Sequence, residues 1–569
     1  MKIGAFTFVL HSHLPYVRKA GRWPHGEEMV HEAIAETYVP LLNALYDLKA
    51  EGYEPKLTIG ITPILMEQLA DPDVLNHFEM YAEERIALIE SDRRLWEGKD
   101  AQRVALADFY LDFYRGILDS FRSRYHRDLL GAFRRLQDAG NLDVLTSAAT
   151  HGYLPLMERD STLYGQIKTG VDTYVRHMGR RPQGIWLPEC GYRPGYIKEG
   201  APSYYKPGEE EFLAAFGLKY FFTDTHVIEG GQLVGKVAGD AVGPYGAIPL
   251  RKVVVKPDTR PEATQRTTFR PYYVQAAEVA VFGRDERTGM QVWSAAHGYP
   301  GDFVYREFHR KDPNSGAQYW RITGAGVDLG DKDLYDPEAA KRQVQTHADH
   351  FVHVVVDRLR AWSKDHDEMG IIVSAYDTEL FGHWWFEGVD WLKEVLRQLS
   401  VNPDVELTTA RDYLNDHPPT EVVAIPESSW GAGGGHWTWK NPETEWMWPL
   451  IHAAERRMER LAGRWPSADG DQAALLAQVA RELVLLESSD WPFLISTGQA
   501  KEYATGRFQQ HLARFNHLAS AAERGAPLPE ADRRFLEQVA ELDNPFPKIQ
   551  YRDFAARENT PLKPLDEIG

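Results

Sequence analysis

Short apolar segments recur along the 569-residue chain, and longer stretches with helical spacing separate them. One such stretch, residues 114–136, places apolar side chains at helical spacing from Ile117 to Phe133. Strands that alternate with helices predict a parallel sheet, and about seven of them predict a closed or nearly closed barrel. The sequence therefore predicts an α/β fold. The segments that we interpret as buried strands are residues 4–11, 56–63, 143–151, 184–189, 219–226, 278–285 and 370–379.

The pattern changes in the last quarter of the chain. Residues 474–487 and 500–523 have the apolar spacing of amphipathic helices, and no strand signal lies between them. We therefore expect a barrel domain over residues 1–425 and a helical C-terminal domain over residues 426–569. A long helical insertion is expected after the second strand, at about residues 64–140.

Charge and cysteine content narrow the classes of partner. The net charge of −19 and the pI near 5.6 argue against nucleic acid or an anionic membrane as a partner, and a neutral substrate fits better. A single cysteine excludes an internal disulfide framework and fits a reducing compartment. The first apolar run is too short for a signal peptide, and no run is long enough to span a bilayer. We expect a cytoplasmic protein; the sequence does not predict its oligomeric state.

The chain is rich in aromatic residues, and several of its 16 tryptophans cluster in residues 383–388 and 428–449. Exposed aromatic rings stack on the flat C–H faces of sugars, whereas a lone tryptophan is more often a core residue with a polar handle. The second cluster adjoins a glycine run, and loops rarely bury large side chains. This placement favours sugar binding.

His11 and His13 are two positions apart at the end of the first predicted strand, so both side chains point to one face if the strand continues. Paired histidines at a strand end are typical of a metal site. They are also compatible with neutral donors to sugar hydroxyls, or with a structural pair. The residues alone leave these three interpretations open.

Two carboxylates, Glu189 and Asp377, end two of the predicted strands. In parallel barrels the carboxyl ends of the strands carry the chemistry, so these two side chains are expected to face each other across the mouth. Glycoside hydrolysis needs such a pair, one as nucleophile and one as general acid/base. A salt-bridged strand end is the alternative for either residue alone. Cys190, next to Glu189, is interpreted as a packing residue.

Five stretches follow one another in the order HSHLPY, TSAATHGYLP, WLPECGYRPG, AYDTELFGHWWFEG and SSDWPFLISTGQAKEYA. They resemble the five ordered motifs of glycoside hydrolase family 57, and the resemblance covers nearly the whole chain. It implies an incomplete (β/α)7 barrel with an inserted helical domain and an α-helical C-terminal domain. It also implies retaining α-glucan chemistry without a metal or other cofactor, which favours substrate donors over metal ligands for the histidines.

The resemblance assigns roles to individual positions. Glu189 would be the nucleophile and Asp377 the general acid/base, with their carboxyl groups roughly 5 to 5.5 Å apart. The loop at about residues 235–246, with Tyr245, would matter for transfer. The segment 251–268 is longer than the family pattern needs. The other expected substrate contacts are His11, His13, His151, Arg284, Trp293, Gly298, Trp430, Trp439, Asp490 and Gln499.

The form QVWSAAHGYPGDFVYREFHRK and the tryptophan-rich segment after it are similar to the 1,4-α-glucan branching enzymes of that family. The implied activity cleaves an α-1,4 bond and transfers the chain to a 6-hydroxyl. A hydrolytic α-amylase or a 4-α-glucanotransferase of the same family would keep both carboxylates. A metal-dependent polysaccharide deacetylase, with His11 and His13 as ligands, and a non-catalytic glycan-binding protein are less favoured alternatives.

Overall fold

The computed structural model describes residues 2–22, 25–199, 204–230, 237–238, 253–254, 266–275, 277–293, 298–525 and 527–557. Tyr245 and most of the segment 251–268 lie outside the described residues. The strands are β1 Gly4–Ser12, β2 Leu57–Ile61, β3 Leu142–Leu145, β4 Tyr196–Lys198, β5 Tyr204–Lys206, β6 Tyr220–Thr223, β7 Val237–Ala238, β8 Val253–Val254, β9 Tyr272–Val274, β10 Ala280–Gly283, β11 Gly370–Asp377, β12 Val405–Leu407 and β13 Val422–Val423.

The α/β class is confirmed, because helices alternate with mostly parallel strands. The helices are α1 Glu28–Ala33, α2 Val39–Ala50, α3 Pro63–Ala70, α4 Pro72–Trp96, α5 Ala101–Asp119, α6 Leu129–Asp138, α7 Asp160–Met178, α8 Glu209–Ala215, α9 Thr225–Glu229, α10 Glu286–Trp293, α11 Pro337–Asp365, α12 Gly388–Ser400, α13 Ala410–Asp416, α14 Met447–Arg464, α15 Gly470–Leu486, α16 Asp490–Thr497, α17 Lys501–Arg524 and α18 Glu530–Leu542.

The first sheet has the order β11-β1-β2-β3, and all its strands run parallel. The first residues of β1 also pair with β12. Its inner strands are apolar and buried along their whole length, as a parallel sheet covered on both faces requires. The register places His11 opposite Asp377, so two of the predicted site residues meet where β1 and β11 end.

The second sheet has the order β13-β9-β10-β6, and β6 and β10 are parallel. Two isolated parallel bridges, Thr146 with Ile185 and Gly184 with Tyr220, place residues 184–185 between β3 and β6. The predicted strand over residues 184–189 is therefore wrong beyond its first two residues. Pro188 has no N–H to donate to a ladder, and the chain turns there into a short 3-10 turn.

Helices α3 to α6 fill the segment where a helical insertion is expected. Aspartates begin three of them: Asp71, Asp100 and Asp128 each accept backbone N–H bonds at a helix N-terminus. Helices α14 to α18 make up the last part of the chain, and a separate apolar core lies among them. None of the described helices combines the length and the apolar composition needed to cross a membrane.

Candidate active site

The end of β1 and the loops nearby bring three histidines together. The Nε2 atoms of His11 and His151 lie 3.0 Å apart, and the rings of His13 and His151 stack with centroids 4.0 Å apart. His13 Nδ1 contacts Thr62 Oγ1 at 3.0 Å, and its Nε2 lies 3.1 Å from both carboxylate oxygens of Asp490. The histidine cluster therefore joins the end of β1 to the start of α16.

Charge is distributed unevenly over this histidine cluster. Burial, together with the charge of His13, lowers the pKa of His11 and His151 well below the usual value, so both are neutral. Burial also lowers the pKa of His13, but Asp490 outweighs it and the net pKa is raised. Two neutral rings beside a third whose protonated form is favoured suit the recognition of sugar hydroxyls, which need both donors and acceptors.

Glu189 is held in a strained backbone conformation. Its φ of 61° and the φ of 49° at Cys190 lie in the left-handed region, which is costly for residues with a Cβ. The backbone N–H of Trp430 donates to the Glu189 carbonyl at 3.1 Å, and its indole Nε1 donates to Glu189 Oε2 at 2.8 Å. One tryptophan thus fixes both the main chain and the carboxylate of Glu189.

Ser489 completes the surroundings of this carboxylate from the helical part of the chain. Its hydroxyl lies 3.3 Å from Glu189 Oε1 and 2.9 Å from His151 Nδ1. Its backbone N–H also donates to the His151 carbonyl at 3.1 Å. Since one serine connects Glu189 to His151, the residues just before α16 are part of the site.

The two predicted catalytic carboxyls influence each other. Burial raises the pKa of Glu189 to about 7; the Trp430 hydrogen bond lowers it in part, and the charge of Asp377 raises it further. Burial raises the pKa of Asp377 to about 6, against the opposing effect of His13 and Arg284. The pair therefore exchanges protons close to neutral pH, as acid/base chemistry needs.

Arg284 and Trp293 both lie close to the Trp430 ring. The guanidinium of Arg284 donates to Asp224 Oδ1 at 2.8 Å, and its Cζ is 5.8 Å from the Trp430 ring centroid. The Trp293 ring is 6.5 Å from that of Trp430 and is 39% exposed, so it can take a ligand on one face. These residues form a partly open aromatic wall beside Glu189.

Trp439 differs from the other aromatic residues that the sequence names as substrate contacts. Its side chain is 1% exposed and stacks on Tyr153 with ring centroids 4.2 Å apart, so it offers no open ring face to a sugar. Because Tyr153 is two residues after His151, Trp439 packs against the segment that carries a site histidine. Gln499 is half-buried between α16 and α17, and Gly298 is half-buried at the start of a short turn. No contact between either of them and the carboxyl pair is seen in the described residues.

Two polar residues at the site were missed by sequence reasoning. Ser489 precedes the expected contact Asp490 directly, and only that adjacency could have indicated it. Glu379 follows Asp377 by two positions; burial raises its pKa to about 8, and Tyr38 donates a hydrogen bond to it. The signal available in the sequence was a second carboxyl only two positions after Asp377.

The site histidines do not form a compact group of metal ligands. Among the described residues, the group of three whose ligand atoms lie within 4.8 Å of one another is Glu482, His511 and Asp543, in the helical part of the chain. There Arg507 donates to His511 Nε2, and Arg514 donates to Asp543. Those cations supply the charge compensation that a metal ion would otherwise give.

Two family models match the chain. Residues 7–426 match the model of glycosyl hydrolase family 57, and residues 450–554 match the C-terminal domain of 1,4-alpha-glucan branching enzymes. The second match contains Ser489 and Asp490, which contact Glu189 and His13.

Similar proteins have been described in archaea and bacteria. The 1,4-alpha-glucan branching enzyme TK1436 of Thermococcus kodakarensis is 45% identical to this chain, over 98% of this chain and 79% of that protein. The crystal structure of TK1436, a complex with glucose, aligns with a TM-score of 0.89 over 99% of this chain and 98% of that chain. A family 57 branching enzyme structure from Pyrococcus horikoshii is 42% identical, covers 98% of both chains and has a TM-score of 0.86. The α-amylase AmyC of Thermotoga maritima is 31% identical, covers 98% of this chain and 99% of that chain, and has a TM-score of 0.80.

Proposed function

The chain belongs to glycosyl hydrolase family 57, and from that membership we propose that it is a retaining 1,4-alpha-glucan branching enzyme. The observation that carries the proposal is the contact between the two matched segments. Ser489 and Asp490, from the segment that matches the branching enzyme C-terminal domain, contact Glu189 and His13 of the family 57 segment. The substrate is an α-glucan, and no nucleic acid or membrane partner is proposed.

In the proposed first step, Asp377 gives its proton to the glycosidic oxygen while Glu189 attacks the anomeric carbon. The glycosidic C–O bond breaks, the leaving chain departs with the proton, and a covalent glucosyl-enzyme remains. In the second step, Asp377 removes the proton from the 6-hydroxyl of an acceptor glucan. That oxygen displaces Glu189, and an α-1,6 branch results.

The first step needs the proton on Asp377 and the charge on Glu189. Without substrate, pKa values of about 7 for Glu189 and about 6 for Asp377 place the proton of the pair more often on Glu189. Trp430 and Ser489 donate to Glu189 and limit this preference, because they stabilise its ionised form. In the described part of the chain no hydrogen bond reaches the Asp377 carboxyl, so a glycosidic oxygen can accept its proton, and that contact favours the reactive arrangement.

The choice of acceptor depends on how well water is kept from the glucosyl-enzyme. Trp293 and Trp430 would hold a glucan ring beside Glu189, and the approach of their rings and the hydrogen bond from Trp430 to Glu189 support this role. Tyr245 remains the predicted aromatic of the loop that favours transfer, and Tyr245→Ala should raise the yield of reducing ends relative to new branches. The ratio of transfer to hydrolysis is what distinguishes a branching enzyme from an amylase.

We also propose that the strands close into an incomplete (β/α)7 barrel, with α3 to α6 as an inserted domain and a helical C-terminal domain from about residue 426. Parallel bridges at residues 184–185 support continuity from β3 to β6. The backbone N–H of Asp285, two residues after β10, donates to the carbonyl of Val373 in β11 at 2.9 Å. This hydrogen bond links the second sheet to the first and supports closure on that side. The cytoplasmic location stays a prediction.

The function is tested by incubating the purified protein with amylose, then debranching the product and measuring its chain lengths. New α-1,6 linkages, with little increase in reducing ends, are expected. The alternative is an α-amylase, which the similarity to AmyC keeps open. Release of reducing sugar without new branches would establish that alternative and contradict the proposal.

The pH profile should depend on Trp430. Full activity requires one proton on the carboxyl pair, so kcat/KM is expected to fall on the acid side as the pair takes up a second proton and on the basic side as it loses its last proton. With pKa values of about 7 for Glu189 and about 6 for Asp377, the basic limb follows Glu189. Trp430→Phe removes a donor to ionised Glu189 and so raises its pKa. The basic limb should move to higher pH, by about one unit or less, as measured by initial rates from pH 4 to 9.

Trp293→Phe is the matched control, because Trp293 Nε1 contacts the Ala375 carbonyl at 3.4 Å instead of Glu189. It should leave the basic limb in place. A basic limb that is unchanged in Trp430→Phe would show that this hydrogen bond does not tune the nucleophile.

Chelation should leave the activity unchanged. The proposed mechanism uses two carboxyls, and the histidines are expected to contact sugar hydroxyls rather than a metal. Branching rates measured before and after dialysis against excess EDTA should agree within about twofold. A loss that Zn²⁺ restores would instead favour a metal-dependent reaction with His11 and His13 as ligands.

A further inference from the structure

Trp430 belongs to a glycine-rich loop, residues 427–439, which we name the tryptophan loop. The loop contains four glycines, and two of them, Gly433 and Gly434, have a φ of 74°, in the left-handed region. Glycine loses more conformational freedom on folding than any other residue, so a loop of this composition is costly to order. Cross-links therefore have to hold Trp430 in place.

His436 supplies one such cross-link, because both of its ring nitrogens have partners. Its Nε2 lies 2.6 Å from Glu427 Oε1, and its Nδ1 lies 2.7 Å from the Tyr153 hydroxyl. The hydrogen bond from His436 lowers the pKa of Glu427, so the carboxylate is ionised and accepts a charge-assisted bond from Nε2–H. One imidazole ring thus joins the first residue of the tryptophan loop to Tyr153.

The Tyr153 side of this cross-link leads to the histidine cluster. Tyr153 is buried two residues after His151, and its ring stacks on Trp439, the last residue of the tryptophan loop. The backbone N–H of Trp439 donates in turn to the His436 carbonyl at 3.0 Å. The end of the loop is therefore fixed to the segment that carries His151.

The Glu427 side leads to the proposed nucleophile. Ser428, the next residue, exchanges two backbone hydrogen bonds with Tyr192, at 2.9 and 3.0 Å. Tyr192 follows Glu189 by three positions. The start of the tryptophan loop is therefore fixed to the turn that carries Glu189, and His436 connects this start to the end of the loop.

Trp430 lies between the two cross-linked residues in sequence. Its indole Nε1 donates to Glu189 Oε2 at 2.8 Å, and the strength of such a bond falls steeply as its distance and angle depart from the ideal. Beside it, the Ser429 hydroxyl donates to the carbonyl of Gly435, the residue before His436, at 2.6 Å. A displacement of His436 would therefore be passed to the residue next to Trp430.

We propose that His436 is a positioning residue for the nucleophile: it closes the tryptophan loop and so keeps the Trp430 indole on the Glu189 carboxylate. Within the described residues His436 has no contact with either catalytic carboxyl, so it acts through Trp430. The inference rests on the proposed role of Glu189. An ordinary half-exposed pair of His436 with Glu427 would add a little stability and leave the pH profile unchanged.

His436→Ala should move the basic limb of kcat/KM to higher pH, in the direction expected for Trp430→Phe. The shift should be smaller than in Trp430→Phe, because the Trp186 ring, 5.0 Å away, still packs on the indole. kcat on amylose should fall by about tenfold, since the nucleophile is less well placed. The measurement is the initial rate from pH 4 to 9, counted as new branches plus reducing ends, together with the urea unfolding midpoint, which should stay close to that of the wild type.

The double variant of His436→Ala with Trp430→Phe distinguishes positioning from a direct effect on Glu189. Its basic limb should coincide with that of Trp430→Phe, because closure of the loop then has no indole donor to position. A further shift in the double variant would overturn the inference, since His436 would then act on Glu189 without Trp430.

Two more variants test the bond to Glu427. Glu427→Ala should reproduce the shift of His436→Ala, whereas His436→Gln should recover most of the rate, because its amide can still donate to Glu427. His517→Ala is the matched control: it breaks a histidine–carboxylate contact of 3.2 Å with Asp532, between α17 and α18, and should leave the basic limb in place.

A basic limb that moves in Trp430→Phe but stays in place in both His436→Ala and Glu427→Ala would overturn the inference and leave the proposed function intact. Because the rate counts every cleaved bond, an absence of new α-1,6 linkages in the wild type would contradict the proposed function without changing these expectations.

Discussion

Glu189→Gln should lower the turnover of amylose by about 10⁴-fold or more, because the amide cannot form the glucosyl-enzyme. The substitution keeps the size of the side chain and an oxygen that can accept the Trp430 hydrogen bond, so the site geometry should persist. Glucan affinity, measured by titration with maltoheptaose, should therefore stay within a few fold of the wild type. Initial rates on amylose, followed as new branches, measure the loss.

Asp377→Asn should give a similar loss on amylose, since the leaving glucan then departs without a proton. The two roles separate on a substrate with a good leaving group, such as a 4-nitrophenyl maltooligosaccharide. That leaving group needs no acid, so Asp377→Asn should still release a burst of nitrophenol, whereas Glu189→Gln should release none. A burst from Glu189→Gln instead would reverse the assigned roles.

Cys190→Ala is the control for both variants. Its thiol is buried next to Glu189 in sequence, packs in the core and has a pKa raised well above its usual value by burial. A neutral buried thiol is a poor nucleophile. Branching activity should stay within about threefold of the wild type; a loss comparable to that of Glu189→Gln would contradict the carboxylate mechanism.

Arg306→Met should destabilise the protein by about 3 to 5 kcal/mol, because it leaves a buried carboxylate without its cation. Arg306 is 5% exposed, and its Nη2 donates to Glu36 Oε2 at 3.2 Å. Its guanidinium carbon also lies 4.0 Å from the Phe386 ring centroid. The shift of the first urea unfolding transition measures the effect. Arg115→Met, which breaks an exposed pair with Glu90, should cost about 1 kcal/mol or less.

The destabilisation should depend on pH. Burial raises the pKa of Glu36, but Arg306 and His383 outweigh it and bring the pKa down to about 2. This depressed pKa stabilises the wild type above the unfolded value near pH 4 and ceases to do so as the pH falls toward 2. Without Arg306, Glu36 gains a proton at higher pH, so the deficit of Arg306→Met should shrink between pH 7 and pH 4.

The double variant Arg306→Met with Glu36→Gln provides the matching test. It removes the buried charge as well as its partner, and it should recover part of the stability lost in Arg306→Met. Equal stability of the single and double variants would show that the unpaired charge of Glu36 is not the cause.

The long apolar strands were predictable, and the short or irregular ones were not. Predicted strands at residues 4–11 and 370–379 became β1 and β11 with small changes at their ends, because continuous apolar runs fit a sheet that is covered on both faces. The three-residue β12 pairs only with the start of β1 and carries too short a pattern to detect. The run before Glu189 was apolar enough to suggest a longer strand than Pro188 permits.

Site residues that belong to a sequence motif were easier to predict than residues whose role depends on tertiary packing. His11, His151, Glu189 and Asp490 were named from the sequence, and the structure brings them together. Burial of Trp439 depends on its stacking partner in a distant loop, and nothing near it in sequence distinguishes it from the more exposed Trp430. The contact of Ser489 also depends on how the C-terminal helices pack against the segment that carries Glu189.

The contact between Ser489 and Glu189 has a consequence for how the protein is made. The two residues are 300 positions apart, and the nucleophile leaves the ribosome long before its hydroxyl partner. His13 likewise waits for Asp490, which lies 477 positions later in the chain. A nascent chain that has already folded its first sheet therefore lacks a finished reaction centre, and we expect it to leave glucans untouched until Ser489 and Asp490 have been synthesised.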